Sequence, residues 1–347
     1  MKALITGITG QDGYYLSQLL VDRGYDVVGI VRRHRDGGRG TFELQPESYK
    51  RRIRLADGDV TDRGFMRDLI AKERPDEFYH LAAQSFVGYS FQNPQSTMDI
   101  NIHGTFNALA AIKEQSPRTK FYFAATSELF GKPVTSPQNE ETPFHPASPY
   151  AISKLTAYWL TRHYREAYGI FAVNGILFNH ESELRGADFV TQKIAIGVSR
   201  IKREIVAGKH ADPIELGNLN ARKDWGYAKD YVKAMHLMLQ QRTAQDFVVG
   251  TGELHTVREF ATAAFRCAGL RIEWSGSGTD ETGRIGDDVA VAVNPAFFRP
   301  IDAENMVADY TKARQELGWL PKTTFPRLVE RMVEYQLNRG DPNVPEN

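Results

Sequence analysis

The sequence predicts an α/β protein, a doubly wound parallel sheet with a smaller mixed α/β substrate-binding lobe. Three observations carry that expectation. Short apolar runs alternate with amphipathic segments of helical length through the first half of the chain, the rhythm of a parallel sheet with helices on both faces and right-handed crossovers. The first of these runs passes through a glycine-rich turn directly into a helix. Beyond about residue 175 the rhythm breaks into longer loops rich in Gly, Asn, Arg and Pro.

Taken in order, KALITGI is a strand and GYYLSQLLVDRG a helix closed by Gly24. DVVGIVRR is a second strand, DRGFMRDLIAKERP a helix capped by Asp62, and DEFYHLAA a third strand. MDINIHGTFNALAAIKEQ reads as a long helix and FYFAATSELFG as the strand that follows it. Further on, SGSGTDETGRIGDD reads as an exposed loop, TKARQELGWLPKTTFPRLVERMVEYQL as two short helices around a Pro-marked turn, and RGDPNVPEN as a frayed tail. The expected division is a nucleotide-binding lobe over 1–175, to which 215–250 returns, a second lobe over 176–214 and 251–340, and a tail over 341–347. A cleft between the lobes lies beyond the carboxyl ends of the strands.

Composition excludes several classes. Lys+Arg and Asp+Glu both number 43 in 347 residues, so nothing marks a nucleic-acid binder. The basic run in YKRRIRLADGD is followed at once by acids and reads as a solvated strand edge. The single cysteine, Cys267, rules out an internal disulfide framework and a multi-cysteine zinc site, and its helical context suggests a small core residue. The histidines show no pair at metal-ligand spacing. No apolar run approaches the roughly 20 residues of a membrane span, and MKALITGITG lacks the features of a signal peptide. A cytoplasmic location is expected.

The chemistry concentrates in three stretches. GITGQDG places glycines at 7, 10 and 13, where a chain must bend tightly, approach a pyrophosphate and pack a helix on a strand. The helix that starts there offers unpaired N–H groups and its positive dipole end to an anion. At the end of the second strand the sequence reads GIVRRHR. An acid there would bind the ribose hydroxyls of NAD, whereas Arg32 and Arg33 suit the extra 2′-phosphate of NADP; the alternative is a solvated loop. Asp59, before Val60, is placed either for the adenine edge or for a turn and cap. In SPYAISK, Tyr150 and Lys154 are four residues apart and share a helical face. A tyrosine with a pKa of about 10 is a poor base at neutral pH until nearby positive charge stabilises its phenolate. Upstream, an apolar strand stops on Thr126, Ser127 and Glu128, two hydroxyls and an acid that a strand end does not need.

Together, TGITGQDG, SELFG and SPYAISK resemble the extended short-chain dehydrogenase/reductases, Rossmann-type enzymes that remodel nucleotide-linked sugars. NGILFNHES, FVTQKI, LGNLNARKDWGYAKDYV, TGELHTVREF and FFRPIDAENMVADYTKARQELGWLPK narrow the resemblance to the GDP-mannose 4,6-dehydratases over nearly the whole chain. The resemblance implies a lyase that binds NADP tightly and recycles it. Tyr150 would take the proton of the sugar's 4-hydroxyl while hydride passes from carbon 4 to NADP. Glu128 would remove the proton on carbon 5 and protonate the departing 6-hydroxyl, after which the hydride returns to carbon 6. Thr126 would hold the 4-oxygen and Ser127 orient the site, the alternative for both being strand-end capping.

By the same resemblance, NADP would be held by Gly7, Thr9, Gly10, Gln11, Asp12 and Gly13, by Arg32, Arg33, Asp59 and Val60, and by Leu81, Ala82, Ala83, Tyr150, Lys154 and His180. The GDP-sugar would be held by Gln84, Ser85, Asn179, Val190, Lys193, Arg222, Lys223, Arg299 and Asp302. A homodimer or homotetramer is implied, with no nucleic acid or membrane partner. The chain departs from the family at four places, one of them the loop HRDGGRGTFELQPESYK after Arg33, which is unlike the usual one and bears on the assembly. Glu183-Leu184-Arg185-Gly186 stands where Pro-Arg-Arg-Gly is usual, Lys223 stands where an arginine is common, and IDAE replaces TEVD around Asp302 and Glu304. These departures bear on which GDP-sugar is accepted; a manno-heptose analogue and a 4-reductase or epimerase reaction are the alternatives, and a non-catalytic NADP-binding regulator is the alternative from another class.

Overall fold

The protein is described from a computed structural model covering residues 1–32, 39–298 and 306–339. Arg33, Arg299, Asp302 and the tail lie outside the described residues. Seven strands form one parallel sheet: β1 (Lys2–Thr6), β2 (Asp26–Val31), β3 (Ile53–Asp57), β4 (Glu77–His80), β5 (Lys120–Thr126), β6 (Ala172–Leu177) and β7 (Phe247–Val249). Their order is β7-β6-β5-β4-β1-β2-β3. Chain direction across the sheet therefore reverses between β1 and β4, both paired in parallel, and a crevice opens at such a switch point beyond the strand ends.

Helices cover both faces because successive strand residues point to opposite sides. Phe78 of β4 joins a core with Met66 and Ile70 of α2 (Arg63–Glu73), Leu109 and Ile112 of α3 (Gly104–Gln115), and Ala157 and Tyr158 of α4 (Pro149–Tyr168). Its neighbour Tyr79 joins the opposite core, with Leu16 and Leu20 of α1 (Gln11–Asp22). That second core continues through α5 (Val190–Val206), α6 (Ala228–Leu239), α7 (Val257–Cys267) and α8 (Phe325–Asn338). The chain signals behave as the sequence suggests at several ends: Asp62 accepts the Phe65 N–H as the cap of α2, and Gly24 follows α1 with φ +80°.

β6 was not legible in the sequence. Its run AVNGIL is entirely buried, but Asn174 and Gly175 break the apolar pattern. Both have structural causes. Asn174 gives its main-chain and side-chain N–H groups to Asp246 at 2.9 and 3.1 Å, and a Cβ at Gly175 would stand 2.5 Å from the Tyr122 hydroxyl. The boundary drawn at 175 thus falls inside a strand.

Two other expectations are corrected. SGSGTDETGRIGDD is no loop: residues Glu273–Ser275, Thr282–Ile285 and Asp288–Val293 form an antiparallel meander, joined in parallel by Ile214–Leu216. Glycines 276 and 286, at φ +80° and +59°, make its turns, which is why so polar a stretch can still be sheet. Cys267 is exposed, because it ends α7 just past the helix's buried face.

Candidate active site

The glycine turn is shaped by close approach. Gly10 N–H donates to the Gly7 carbonyl at 3.0 Å. Gly7 has φ +70°, and a Cβ there would meet the Ala82 nitrogen at 2.8 Å; one at Gly13 would meet the Gly7 oxygen at 2.5 Å. The exit of β4 is tied to the same turn through Thr6, whose hydroxyl accepts the N–H groups of Leu81 and Ala82 at 3.0 Å each. That hydroxyl then donates to His80 Nδ1 at 2.9 Å. His80 lies between Phe121 and Phe123, and burial, aided by the Lys154 charge, pushes its pKa down to about 3.

At the end of β5, Thr126 Oγ1 accepts the Glu128 N–H at 3.2 Å and caps the short 3-10 turn Ser127–Leu129. The capping role is thus present, and the Thr126 side chain also hydrogen-bonds Tyr150. Helix α4 starts where it does because Ser148 Oγ accepts the Ala151 N–H at 3.1 Å and Pro149 occupies the first turn. That start sets Tyr150 and Lys154 one turn apart, both buried. Burial raises the Tyr150 pKa to about 12, with the Thr126 hydrogen bond and the Arg185 charge pulling it down and Glu128 and Asp12 pushing it up. Burial lowers that of Lys154 to about 7 against the pull of Asp12.

His180 joins the two halves of the chain. Its Nδ1 is 2.8 Å from the Phe178 carbonyl oxygen and its Nε2 is 2.9 Å from the Asp12 carboxylate. Both partners can only accept, so both ring nitrogens carry hydrogen. Burial opposes that charge, but the Asp12 carboxylate outweighs it and raises the His180 pKa. Asp12 is held low in return, since His180 overcomes its desolvation. The ring stacks on Tyr231 at 4.7 Å.

These groups surround one cleft of about 730 Å³. It is lined by Gly7, Thr9, Gly10, Gln11, Asp12 and Gly13, by Arg32, Asp59 and Val60, and by Leu81, Ala82, Ala83, Gln84 and Ser85. Thr126, Ser127, Glu128, Tyr150, Lys154, Asn179 and His180 complete the predicted set that reaches it. Asp59 also serves its turn, accepting the Thr61 N–H and hydroxyl at 2.9 and 2.8 Å. Four predicted substrate residues do not line the cleft. Val190 is the first residue of α5, and Lys193 lies over the Phe297 ring at 3.7 Å. Arg222 and Lys223 pair antiparallel with Thr256 and His255. The sequence reading missed Phe86, Arg185, Asp188 and Phe189, which do line it. Among the described residues no His, Cys, Asp or Glu cluster could hold a metal ion, and no helix is long and apolar enough to cross a membrane.

A parallel sheet with a glycine turn at its first crossover, and a Tyr-x-x-x-Lys helix meeting a hydroxyl-bearing strand end, defines an extended short-chain dehydrogenase/reductase. Residues 4–332 match the family described as GDP-mannose 4,6 dehydratase, and the chain belongs to that family. It is 45% identical over 350 residues to the GDP-mannose 4,6 dehydratase of Drosophila melanogaster, covering 98% of this chain and 87% of the relative. Against the Homo sapiens GDP-mannose 4,6 dehydratase it is 46% identical over 352 residues, covering 99% and 93%. Among solved structures, the Thermus thermophilus UDP-glucose 4-epimerase in complex with NAD superposes with a TM-score of 0.79 at 26% identity, over 98% of this chain and 99% of that one.

Proposed function

We propose that this enzyme performs the NADP-dependent 4,6-dehydration of GDP-mannose to GDP-4-keto-6-deoxymannose. The observation that carries the reading is the presence of Glu128 in the cleft that also holds Tyr150 and Lys154. Oxidation or epimerisation at carbon 4 needs the tyrosine and lysine; elimination also needs a carboxylate.

The turn around Gly7 and Gly13 has no room for a Cβ and ends at the N-terminus of α1, a cradle that fits the pyrophosphate of a dinucleotide. A nicotinamide cofactor there would supply the hydride acceptor and later the hydride donor, so its oxidation state is unchanged after each turnover. Arg32, exposed at the edge of the cleft, supports NADP over NAD. Tyr150, with Thr126 beside it, accepts the proton of the 4-hydroxyl. The ketone so formed acidifies carbon 5. Glu128 takes that proton and gives one to the 6-oxygen, which leaves as water. The proton taken from the 4-oxygen balances the one that carbon 5 regains.

Self-association fits the same molecule. Ile152 and Trp159 are exposed on the face of α4 opposite Tyr150 and Lys154, which supports that face as the one through which copies of the chain would pair. Asn179 lies in the cleft and supports the sugar-nucleotide side of the assignment, while Lys193, Arg222 and Lys223 stand further out.

The test is mass spectrometry of the nucleotide sugar after incubation with GDP-mannose and catalytic NADP. Loss of one water without net NADPH supports the reading. Unchanged GDP-mannose in the presence of bound NADP overturns the sugar assignment and directs the same assay to GDP-manno-heptose.

A further inference from the structure

An acid stands in the middle of the glycine cradle. Asp12 lies between Gly10 and Gly13, in the first turn of α1, and lines the cleft. Such a turn attracts a pyrophosphate through unpaired N–H groups and the positive end of the helix dipole. A full negative charge beside them works against that attraction. One Asp12 oxygen meets His180 Nε2 at 2.9 Å, while the other, Oδ1, is buried and has no hydrogen-bond partner.

The ion pair is not what fastens the segment that carries His180. Gln11 Nε2 donates to the His180 carbonyl at 2.8 Å, and Gln11 Oε1 accepts the Ser182 hydroxyl at 2.8 Å. His180–Glu181 pairs in parallel with Gly226–Tyr227. One residue further on, Glu183 turns away from the cleft. Its carboxylate accepts from Tyr15 of α1 at 2.8 Å and from Tyr227 at 3.2 Å, and Arg331 of α8 reaches it with Nε at 2.9 Å. These contacts hold the segment against α1 whatever the charge on the imidazole.

What the ring supplies is positive charge. Its two nitrogens face the Phe178 carbonyl and the Asp12 carboxylate, which accept only, so the pairing needs both N–H groups of the imidazolium. Tyr231 of α6 stacks on it, 24° from parallel, and an aromatic face favours a cation. The other groups whose charge reaches the pair are Arg185, Tyr122 from β5, and Tyr150 and Lys154 from α4. Arg185 is itself paired with Glu181 at 3.2 Å.

We propose that His180 is the counter-ion of the phosphate-binding turn: as an imidazolium it cancels the Asp12 carboxylate, and the cradle then admits the phosphates of a dinucleotide. The inference rests on the nicotinamide-cofactor part of the function proposed above and is independent of the sugar. Removing the imidazolium leaves a bare carboxylate where an anion must bind; removing the carboxylate as well takes away the need for the imidazolium.

The experiment is calorimetry of NADP binding, without sugar, to the parent, His180→Gln, Asp12→Asn and the double variant. Glutamine keeps a donor and carries no charge. In the parent background His180→Gln should weaken binding by about tenfold or more, whereas the same change made in the Asp12→Asn protein should cost less than about threefold, the coupling expected of groups that act on each other. A second readout is the slope of affinity against pH. As the ring loses its proton above neutral pH, the parent should lose affinity faster than Asp12→Asn; titration of the cofactor itself is common to both. This comparison also decides the case in which His180→Gln does not fold. Equal losses from His180→Gln in the two backgrounds, no loss in either, or equal pH slopes overturn the proposal. A parent that binds no nicotinamide dinucleotide overturns the cofactor reading on which it rests. If the parent binds NADP but leaves GDP-mannose unchanged, only the dehydratase reading falls, and the coupling still decides the role of His180.

Discussion

Tyr150 and Lys154 lie one turn apart on α4, and burial moves them in opposite directions: the phenol up to about 12 and the ammonium down to about 7. The desolvation that hinders one from losing its proton helps the other to lose it. Gaining or losing a proton at the lysine therefore costs little near neutral pH, while ionising the tyrosine depends on positive charge brought into the cleft.

Glu128→Gln should retain NADP binding and lose dehydration. An amide keeps the size and some hydrogen bonding of the carboxylate but cannot take the carbon 5 proton. General acid–base groups contribute about 10²- to 10⁴-fold, so kcat should fall at least on the order of 10²-fold. Calorimetry with NADP and mass spectrometry of the sugar nucleotide check the two halves, and full dehydration by the variant would refute the assigned role.

Arg32→Ala should weaken NADP binding and leave NAD binding little changed. A charge-assisted contact to the 2′-phosphate is worth about 1.4 kcal/mol or more, or roughly tenfold in Kd. Equal losses for both dinucleotides would show that Arg32 does not read the phosphate.

Gly13→Ala should abolish cofactor binding and lower the melting temperature. The added Cβ would stand 2.5 Å from the Gly7 oxygen, and neither atom belongs to a side chain that can move aside. Thermal unfolding with and without NADP reads this directly: the parent should gain stability from the cofactor by mass action, and the variant should not.

His80 makes a pH prediction. Its folded pKa, about 3, is below the unfolded value of about 6.5. The unfolded chain thus binds a proton between those values that the folded one does not, so stability falls as pH drops below about 6.5. His180, whose pKa is raised, acts in the opposite sense and only above that pH. The cost from His80 is about 1.4 kcal/mol per pH unit. Chemical denaturation of His80→Asn between about pH 6.5 and 5 should show a slope shallower by that amount, whatever its starting stability.

Trp159→Glu should halve the mass seen by light scattering if α4 pairs copies of the chain. Trp159 is half exposed and far from the cleft face of its helix, so the monomer should remain folded. An unchanged mass would place the interface elsewhere.

Much of this molecule could be read from the chain because the relevant signals are local. Strand, glycine turn and helix are contiguous around Gly7–Gly13, and Ser148-Pro149 fixes the register of Tyr150 and Lys154 within a few residues. β6 was hidden because Asn174 donates to Asp246 and Gly175 leaves room for Tyr122, demands that sequence cannot reveal. Arg185 was missed for a similar reason. Its place depends on a turn onto the Ser182 carbonyl and on contacts with Glu181 and the Phe189 ring, which no motif in the chain announces. The substrate residues carried over on resemblance at 190, 193, 222 and 223 stand outside the cleft, since matching a motif does not specify which side chains face it.

The sheet begins in its own middle: β1 has β2 on one side and β4 on the other. A nascent chain can pair β1 with β2 early, but Asp12 must wait for His180, and Tyr15 for an acid that Arg331 completes. The helix that follows the glycine turn is therefore held by Glu183, which α8 also holds through Arg331. Long-range closures of this kind are slow, so Glu183 is fully paired only once α8 has packed.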